Sequence, residues 1–213
     1  GKITNAVALR KVKDTLKDSV FEQLAWAIEI LEVSHLWHIP QSKLEITYIP
    51  TGQKILFRGA DKPKKIKSTK VKKGYIKYIW FEELDEFSGP EEIRIINQSL
   101  MRGGEKFVVF YTYNPPKSSG SWVNQEAKVP KTGRRVHHSD YRNVPAEWLG
   151  KIFIADAEHL KKTNEMAYRH EYLGEEVGTG LEVFTNVTLT AITDEEIKAF
   201  DRIKQGLDFG YAI

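Results

Sequence analysis

KYIWFEELDEF, residues 77–87, is the stretch on which the reading of the fold turns. Tyr78, Ile79, Trp80 and Phe81 make a strand-length apolar run that stops on Glu82-Glu83, with Asp85-Glu86 one leucine later. A strand buried on both faces can carry polar groups only at its ends. In an open parallel sheet, ligands bind in the crevice outside the carboxyl ends of the strands, so these acids are expected to project into such a crevice. There a hard cation would neutralise them: Mg²⁺ takes one or two carboxylates and completes its shell with phosphate oxygens and water. On this reading Glu82 holds Mg²⁺, and Glu83 orients an attacking water as nucleotide hydrolases require. The same acids would also suit the first turn of a solvated helix, whose dipole favours negative charge.

A second apolar run, KFVVFYTY (106–113), ends as abruptly, on Asn114-Pro115-Pro116. It reads as a buried parallel strand that brings Thr112 and Asn114 to the same edge as the acids, within reach of a γ-phosphate or its water. Between the runs, Ser88-Gly89-Pro90-Glu91 is a capping box with proline in the first turn, opening a helix that runs to Gly103-Gly104. Upstream, TNAVAL (4–9) is a short β-prone segment. Ser19-x-x-Glu22 is another capping box, and Val20, Leu24, Ile28 and Leu31 recur at helical spacing, giving a helix to about Val33. LEITYI, Pro50-Thr51-Gly52 and KILFRG make a hairpin. Downstream, 145–160 and 165–172 are helical, Gly174 closes the second of these, and Thr193-x-x-Glu196 caps a short helix. QGLDFGYAI (205–213) is strand-like with Asp208 in its middle. Strands alternating with helices predict an α/β fold with a mostly parallel sheet flanked by helices.

The bulk composition narrows the classes. Hydrophobic residues at 41% and charged residues at 29% predict an ordinary globular core. There is no cysteine, which excludes disulfide and thiolate-metal scaffolds and suits a reducing cytoplasm. No apolar run reaches the about 18 residues of a membrane span. A net charge of +3 is compatible with a polyanionic partner without requiring one. Eight lysines fall between Asp61 and Lys77. Lys64, Lys65, Lys67, Lys70, Lys72 and Lys73 are candidates for gripping a DNA backbone, although a charge run is as often a solvated loop. Arg10, Arg58 and Arg102 each follow an apolar segment and could reach a nucleotide or a neighbouring subunit. The pairs His35/His38 and His137/His138 lack further ligands at zinc spacing and are read as structural.

VALRKVKDTLKDSVFEQL (7–24), LEITYIPTGQKILFRGADKPKKIKS (44–68), YIWFEELDEF (78–87), FYTYNPPKSSGSWVN (110–124), VHHSDY (136–141), YRHEYLGE (168–175) and QGLDFGY (205–211) together resemble the large terminase subunits of tailed bacteriophages and prophages, over nearly the whole chain and in order. The resemblance implies a P-loop ATPase of RecA-like fold that drives double-stranded DNA into a procapsid, followed by an RNase H-like nuclease. It implies ATP and Mg²⁺ (Mg²⁺ or Mn²⁺ for the nuclease), a homo-oligomeric ring, partnership with portal protein and small terminase subunit, and a place in the host cytoplasm. By this likeness Glu82 and Glu83 are the Walker B acids, with Glu83 the catalytic carboxylate. Thr112, Tyr113 and Asn114 form the coupling motif, Arg10 contacts nucleotide, and Asp208 is the first metal-binding acid of the nuclease. Arg58 and Arg102 are candidates for an arginine offered to the next subunit.

The expected organisation is an ATPase domain over 1–185, a linker over 186–204, and the opening strand of the nuclease at 205–213. The family's phosphate-binding loop should precede TNAVALRK, where only Gly1-Lys2-Ile3-Thr4 stands. Either the chain is truncated there, or Gly1 and Lys2 are the remnant of that loop joined across absent residues; the second is favoured, because a doubly wound sheet without its phosphate-loop strand would expose a long apolar edge. With one nuclease acid and no others, the fragment alone is expected to be inactive, since two-metal cleavage needs several carboxylates. Another P-loop DNA motor, or a non-catalytic DNA-binding or assembly module, are the alternatives.

Overall fold

The computed structural model describes residues 3–61, 66–67, 69–178 and 191–200. It divides into two units, Gly1–Gly180 and Leu181–Ile213. The first contains a six-stranded sheet. Its strands are β1 (Thr4–Arg10), β2 (Trp37–His38), β3 (Glu45–Tyr48), β4 (Gln53–Gly59), β5 (Tyr75–Glu82) and β6 (Val108–Thr112), in the order β2-β3-β4-β1-β5-β6. Strands β4, β1, β5 and β6 run parallel, while β2 and β3 fold back antiparallel at one side. The expected hairpin is the β3–β4 pair, and Gly52 takes the positive φ its turn requires (76°). The mostly parallel α/β sheet read from the sequence is the observed fold.

Alternation along the strands sorts the core into two layers. Val7, Leu9, Leu56, Ile79 and Phe81 face one side, where α2 (Pro90–Leu100) lays down Ile93, Ile96 and Leu100. Ala8, Phe57 and Trp80 face the other, covered by Val20 and Phe21 of a π-helical turn (Lys17–Phe21) and by Ile28 of α1 (Glu22–Ile30). Phe21 meets Phe57 edge-on at 5.1 Å between ring centroids.

Two of the three expected capping boxes do not form. Ser19 lies inside the π-helical turn and donates to the Thr15 carbonyl at 2.7 Å and to Glu82 Oε2 at 3.2 Å. The helix that follows stops at Ile30 rather than near Val33, because Glu32 enters the left-handed region (φ 56°). At α2 the N-cap is Gly89, with Pro90 at the first helical position. The acid that reaches back is Glu92, which accepts from the Ser88 N–H at 2.8 Å and is held by Lys11 Nζ at 2.6 Å. The third box, Thr193 with Glu196, forms at α7 (Asp194–Lys198) in the second unit.

Strand β6 departs from the sequence reading in a consequential way. It is parallel to β5, as expected, but it is an edge strand rather than a buried one: Phe110 is 52% exposed and Tyr111 39%. Among the described residues β5 is its only neighbour, so one rim of β6 carries unpaired backbone. Beside it, Ala6, Ala8, Ile55, Tyr78, Trp80 and Phe110 line an open apolar groove of about 340 Å³ on the sheet face.

After β6 come α3 (Trp122–Lys128) and a helical lobe of α4 (Ala146–Leu149), α5 (Lys151–Thr163) and α6 (Glu165–Glu171). The single helix expected over 145–160 is broken at Gly150 (φ 82°). The lobe packs around Ala157, Tyr168 and Leu173, and Gly174 (φ 64°) ends α6 as expected. Gly1, Lys2, Lys64, Lys65 and the expected nuclease strand with Asp208 lie outside the described residues. Among the described residues no helix is long and apolar enough to cross a membrane.

Candidate functional site

Four parallel strands finish at one edge of the sheet, and the register says which side chains meet there. Glu82 is the partner of Thr112, Phe81 pairs with both Leu9 and Tyr111, and Arg10 pairs with Gly59. The two strand tips singled out in the sequence are therefore neighbours.

Glu82 is 14% exposed and Arg10 16%, with Arg10 Nε 3.7 Å from Glu82 Oε2 and Arg10 Nη2 3.5 Å from Glu86 Oε1. These are ion pairs longer than a hydrogen bond, and Arg10 Nε is a buried donor with no acceptor among the described residues. Arg10 thus sits as a counter-charge among carboxylates rather than free toward solvent. Glu82 also accepts from Ser19 at 3.2 Å, an anchor that sequence reading missed because Ser-x-x-Glu resembled a helix cap.

Glu83 has left-handed backbone geometry, φ 49° and ψ 61°. Only two non-glycine residues among those described have positive φ, and this one stands where β5 turns into the 3₁₀ turn Leu84–Glu86. Such a conformation costs a Cβ-bearing residue about 1–2 kcal/mol. Burial raises the Glu83 pKa above the ordinary carboxylate range, and the Asp85 carboxylate adds to the rise. Arg10 opposes it, while Glu82 and Glu86 add smaller repulsions. Asp85 Oδ1 is itself buried without a hydrogen-bond partner among the described residues.

From β6, Thr112 Oγ1 accepts from Trp80 Nε1 at 2.8 Å and lies 3.4 Å from the Phe81 carbonyl. The next residue points the other way, as alternation demands: Tyr113 packs against the core, and its hydroxyl lies 3.4 Å from the Val123 carbonyl. Asn114 is exposed beyond it. Of the remaining arginines, Arg58 is half-buried, donates to the Phe57 carbonyl at 2.7 Å, and is shifted down by burial with Glu45 as its nearby opposing charge. Arg102 follows α2 and donates to the Gln98 carbonyl at 3.2 Å. Gly104 abuts the ring of Tyr75, the first residue of β5, which puts Arg102 near the opposite edge of the sheet from Glu82.

The lysine segment is less free than its composition suggests. Ile66 is buried in the main core, Val71 packs on it, and the Lys73 carbonyl accepts from Asn5 Nδ2 at 2.9 Å. Lys67, Lys70, Lys72 and Lys73 are exposed between those anchors. His138 Nε2 lies 2.8 Å from the Leu173 carbonyl. No group of three or more His, Cys, Asp or Glu suited to a metal occurs among the described residues.

A family model described as phage terminase large subunit matches residues 2–175. The chain belongs to this family. It is 46% identical over 213 residues to the terminase large subunit of Bacillus phage SPP1, an alignment that takes in 96% of this chain and 50% of that protein. The chain therefore spans about half the length of its curated relative. In fold it is similar to the large terminase of a thermophilic bacteriophage (TM-score 0.59, 13% identity, 83% of this chain and 42% of that one). It is also similar to a mutant form of the ATPase domain of the Thermus phage P74-26 large terminase (TM-score 0.51, 12% identity, 83% of this chain and 78% of that one). The sheet just described is thus the fold of terminase ATPase domains.

Proposed function

We propose that this chain is the nucleotide-hydrolysing part of a terminase large subunit, using ATP to move double-stranded DNA into a procapsid. The observation that carries the reading is the Glu82–Thr112 register pair at the carboxyl edge of the sheet, with the strained Glu83 immediately beyond it.

Glu82 fits a hard cation: its carboxylate has lone pairs to spare beyond one long hydrogen bond and one long ion pair. A single carboxylate suffices for Mg²⁺ when phosphate and water complete the shell, so no larger acidic cluster is needed. Bound there, Mg²⁺ would screen the phosphate charge that builds up during transfer. Glu83, held neutral to a higher pH than an ordinary glutamate, is suited to take the proton of an attacking water it has oriented. Arg10 keeps the remaining acids from repelling one another and stands where a nucleotide phosphate would come. On this reading Thr112 and Asn114 sense the γ-phosphate from the same sheet edge as Glu82, and Tyr113 turns the coupling motif into the core.

Gly1-Lys2 belongs to the phosphate-binding loop on this reading. The rim of β6 that is unpaired among the described residues, and the apolar groove beside it, support a further strand and helix of the same protein in that place. Lys64, Lys65, Lys67, Lys70, Lys72 and Lys73 contact the DNA backbone. Asp208 opens an RNase H-like nuclease domain (Mg²⁺ or Mn²⁺), with the ATPase domain over 1–185 and a linker over 186–204. The whole protein acts as a ring on the procapsid in the host cytoplasm, with portal protein and small subunit, and Arg58 or Arg102 is offered across the ring. The deciding experiment is Glu83→Gln in the full-length protein. ATP binding should persist and hydrolysis vanish; normal turnover would refute the assignment.

A further inference from the structure

Between Asn114 and Gly178 lies a set of contacts that the hydrolytic chemistry leaves unused. Helix α3 is tied on every side. Trp122 Nε1 donates to the Phe87 carbonyl at 3.0 Å, which fixes its first turn to the end of the acidic turn after β5. The Val123 carbonyl receives the Tyr113 hydroxyl, and the Val123 side chain is buried with Leu84 and Phe87. Asn124, 1% exposed, donates both Nδ2 hydrogens, to the Pro116 and Ser118 carbonyls at 2.8 Å each. Its Oδ1 is buried without a donor among the described residues. A buried amide with one unsatisfied end is retained against a cost, which suggests that its donor end has a task. Gln125 Nε2 adds a bond to the Ser119 carbonyl at 2.6 Å.

The loop held by these side chains pairs with a second segment. Ser118 and Gly178 form a parallel bridge, with Ser119 N–H donating to the Gly178 carbonyl at 2.8 Å and Val177 N–H to the Lys117 carbonyl at 3.2 Å. Lys128, in the last turn of α3, is ion-paired with Glu176. Burial raises the Tyr113 pKa, with Glu176 and Asp85 contributing, so that both carboxylates bear on this one phenol. In sequence, 176–178 ends two residues short of the second unit, which begins at Leu181.

We propose that α3 is the relay of the motor: it reads the acidic turn through Trp122 and the β6 tip through Val123, and it moves the exit segment 176–178 through the Asn124-held loop and the Lys128–Glu176 pair. Asn124 is a positioning residue, acting through the loop rather than on nucleotide. This rests on the ATPase reading above, since a relay needs a nucleotide cycle to report.

The test is a charge-swap set in the full-length protein: Lys128→Glu, Glu176→Lys and the double variant, alongside Asn124→Ala. Each is measured for ATP hydrolysis without DNA, hydrolysis with saturating double-stranded DNA, and thermal melting. Lys128→Glu should leave basal hydrolysis unchanged and cut the DNA-stimulated increment by about fivefold or more, the scale of a genuine inter-site coupling. The double variant should restore it while melting stays level across the set; a merely structural ion pair would show the loss and its rescue in melting as well. Asn124→Ala should lose stimulation in the same way if it folds; if it does not fold, the charge-swap set decides alone. Full stimulation in Lys128→Glu, or no rescue in the double variant, overturns the relay. If the parent protein hydrolyses no ATP, or Glu83→Gln hydrolyses it normally, the ATPase reading itself has failed.

Discussion

Replacing Glu83 by glycine should make the protein more stable and inactive at once. Glu83 holds φ 49° and ψ 61°, where a Cβ clashes with the following carbonyl at a cost of about 1–2 kcal/mol. Glycine removes that clash but loses about 0.5–1 kcal/mol through the greater freedom of the unfolded chain. The balance is a gain between about 0 and 1.5 kcal/mol. No hydrogen bond is forfeited, because the contact Glu83 makes in its turn is a backbone one, its carbonyl accepting from the Glu86 N–H at 3.0 Å. Burial and then Asp85 disfavour the Glu83 charge more than Arg10 favours it, so removing that charge adds in the same direction. Glu83→Gln keeps the strain and should stay within about 0.5 kcal/mol of the parent. Urea denaturation of the three proteins gives the stabilities, and steady-state phosphate release gives turnover. Loss of a proton acceptor in the transition state should lower turnover by about 10²–10⁴ in both variants. A glycine variant that is less stable than the parent by more than about 1 kcal/mol, or that turns over normally, would refute the argument that strain at this corner is maintained for catalysis.

The acid limb of hydrolysis should lie above the pH at which an ordinary glutamate titrates, because Glu83 must be ionised to act and burial raises its pKa. Asp85→Asn should move that limb to lower pH, and Arg10→Ala to higher pH; a limb indifferent to both would detach Glu83 from the chemistry. In stability the sign is reversed from a paired acid: a raised pKa penalises the folded state above it, so Glu83→Gln should gain on the parent as pH rises through the limb. Reversing the charge of Lys67, Lys70, Lys72 and Lys73 should lower the slope of log affinity against log salt by about 0.9 for each lysine that meets a phosphate, measured by DNA-binding titrations; an unchanged slope returns the segment to solvent. Asp208→Ala should abolish DNA cleavage by the full-length protein and spare ATP hydrolysis, and retained cleavage would remove it from the nuclease site.

Much of this was legible because strand alternation and parallel-sheet composition are local signals. YIWF predicted β5, TNAVAL predicted β1, and Pro-Thr-Gly predicted the turn between β3 and β4. The first two capping boxes failed for a tertiary reason. Ser19 found Glu82, 63 residues away, and Glu92 found Lys11, 81 residues away, so long-range charge decided what a four-residue motif could not. Asn124 was invisible as a functional residue: its value lies in two carbonyls six and eight residues back, and nothing in Trp-Val-Asn announces burial. Equally, the lysine run hid Ile66 and Val71, whose apolar anchoring shows only when the core is assembled.

The misreading of β6 carries the most information. KFVVFYTY has the composition of a strand covered on both faces, yet Phe110 is half-exposed and, among the described residues, one rim of the strand is unpaired. Exposed apolar edges invite aggregation, and proteins that keep them in isolation place charge or proline there; β6 has neither until Pro115. Sequence and exposure agree only if β6 is built to be covered. The groove of Ala6, Ala8, Tyr78, Trp80 and Phe110 runs along the same side, with small alanines where a helix could approach closely. A strand beside β6 and a helix over the groove would also bring a phosphate-binding turn to the carboxyl edge, next to Glu82 and Thr112. The composition of β6, the shape of the groove and the chemistry of the strand tips thus make one demand, and the ATPase reading supplies what meets it.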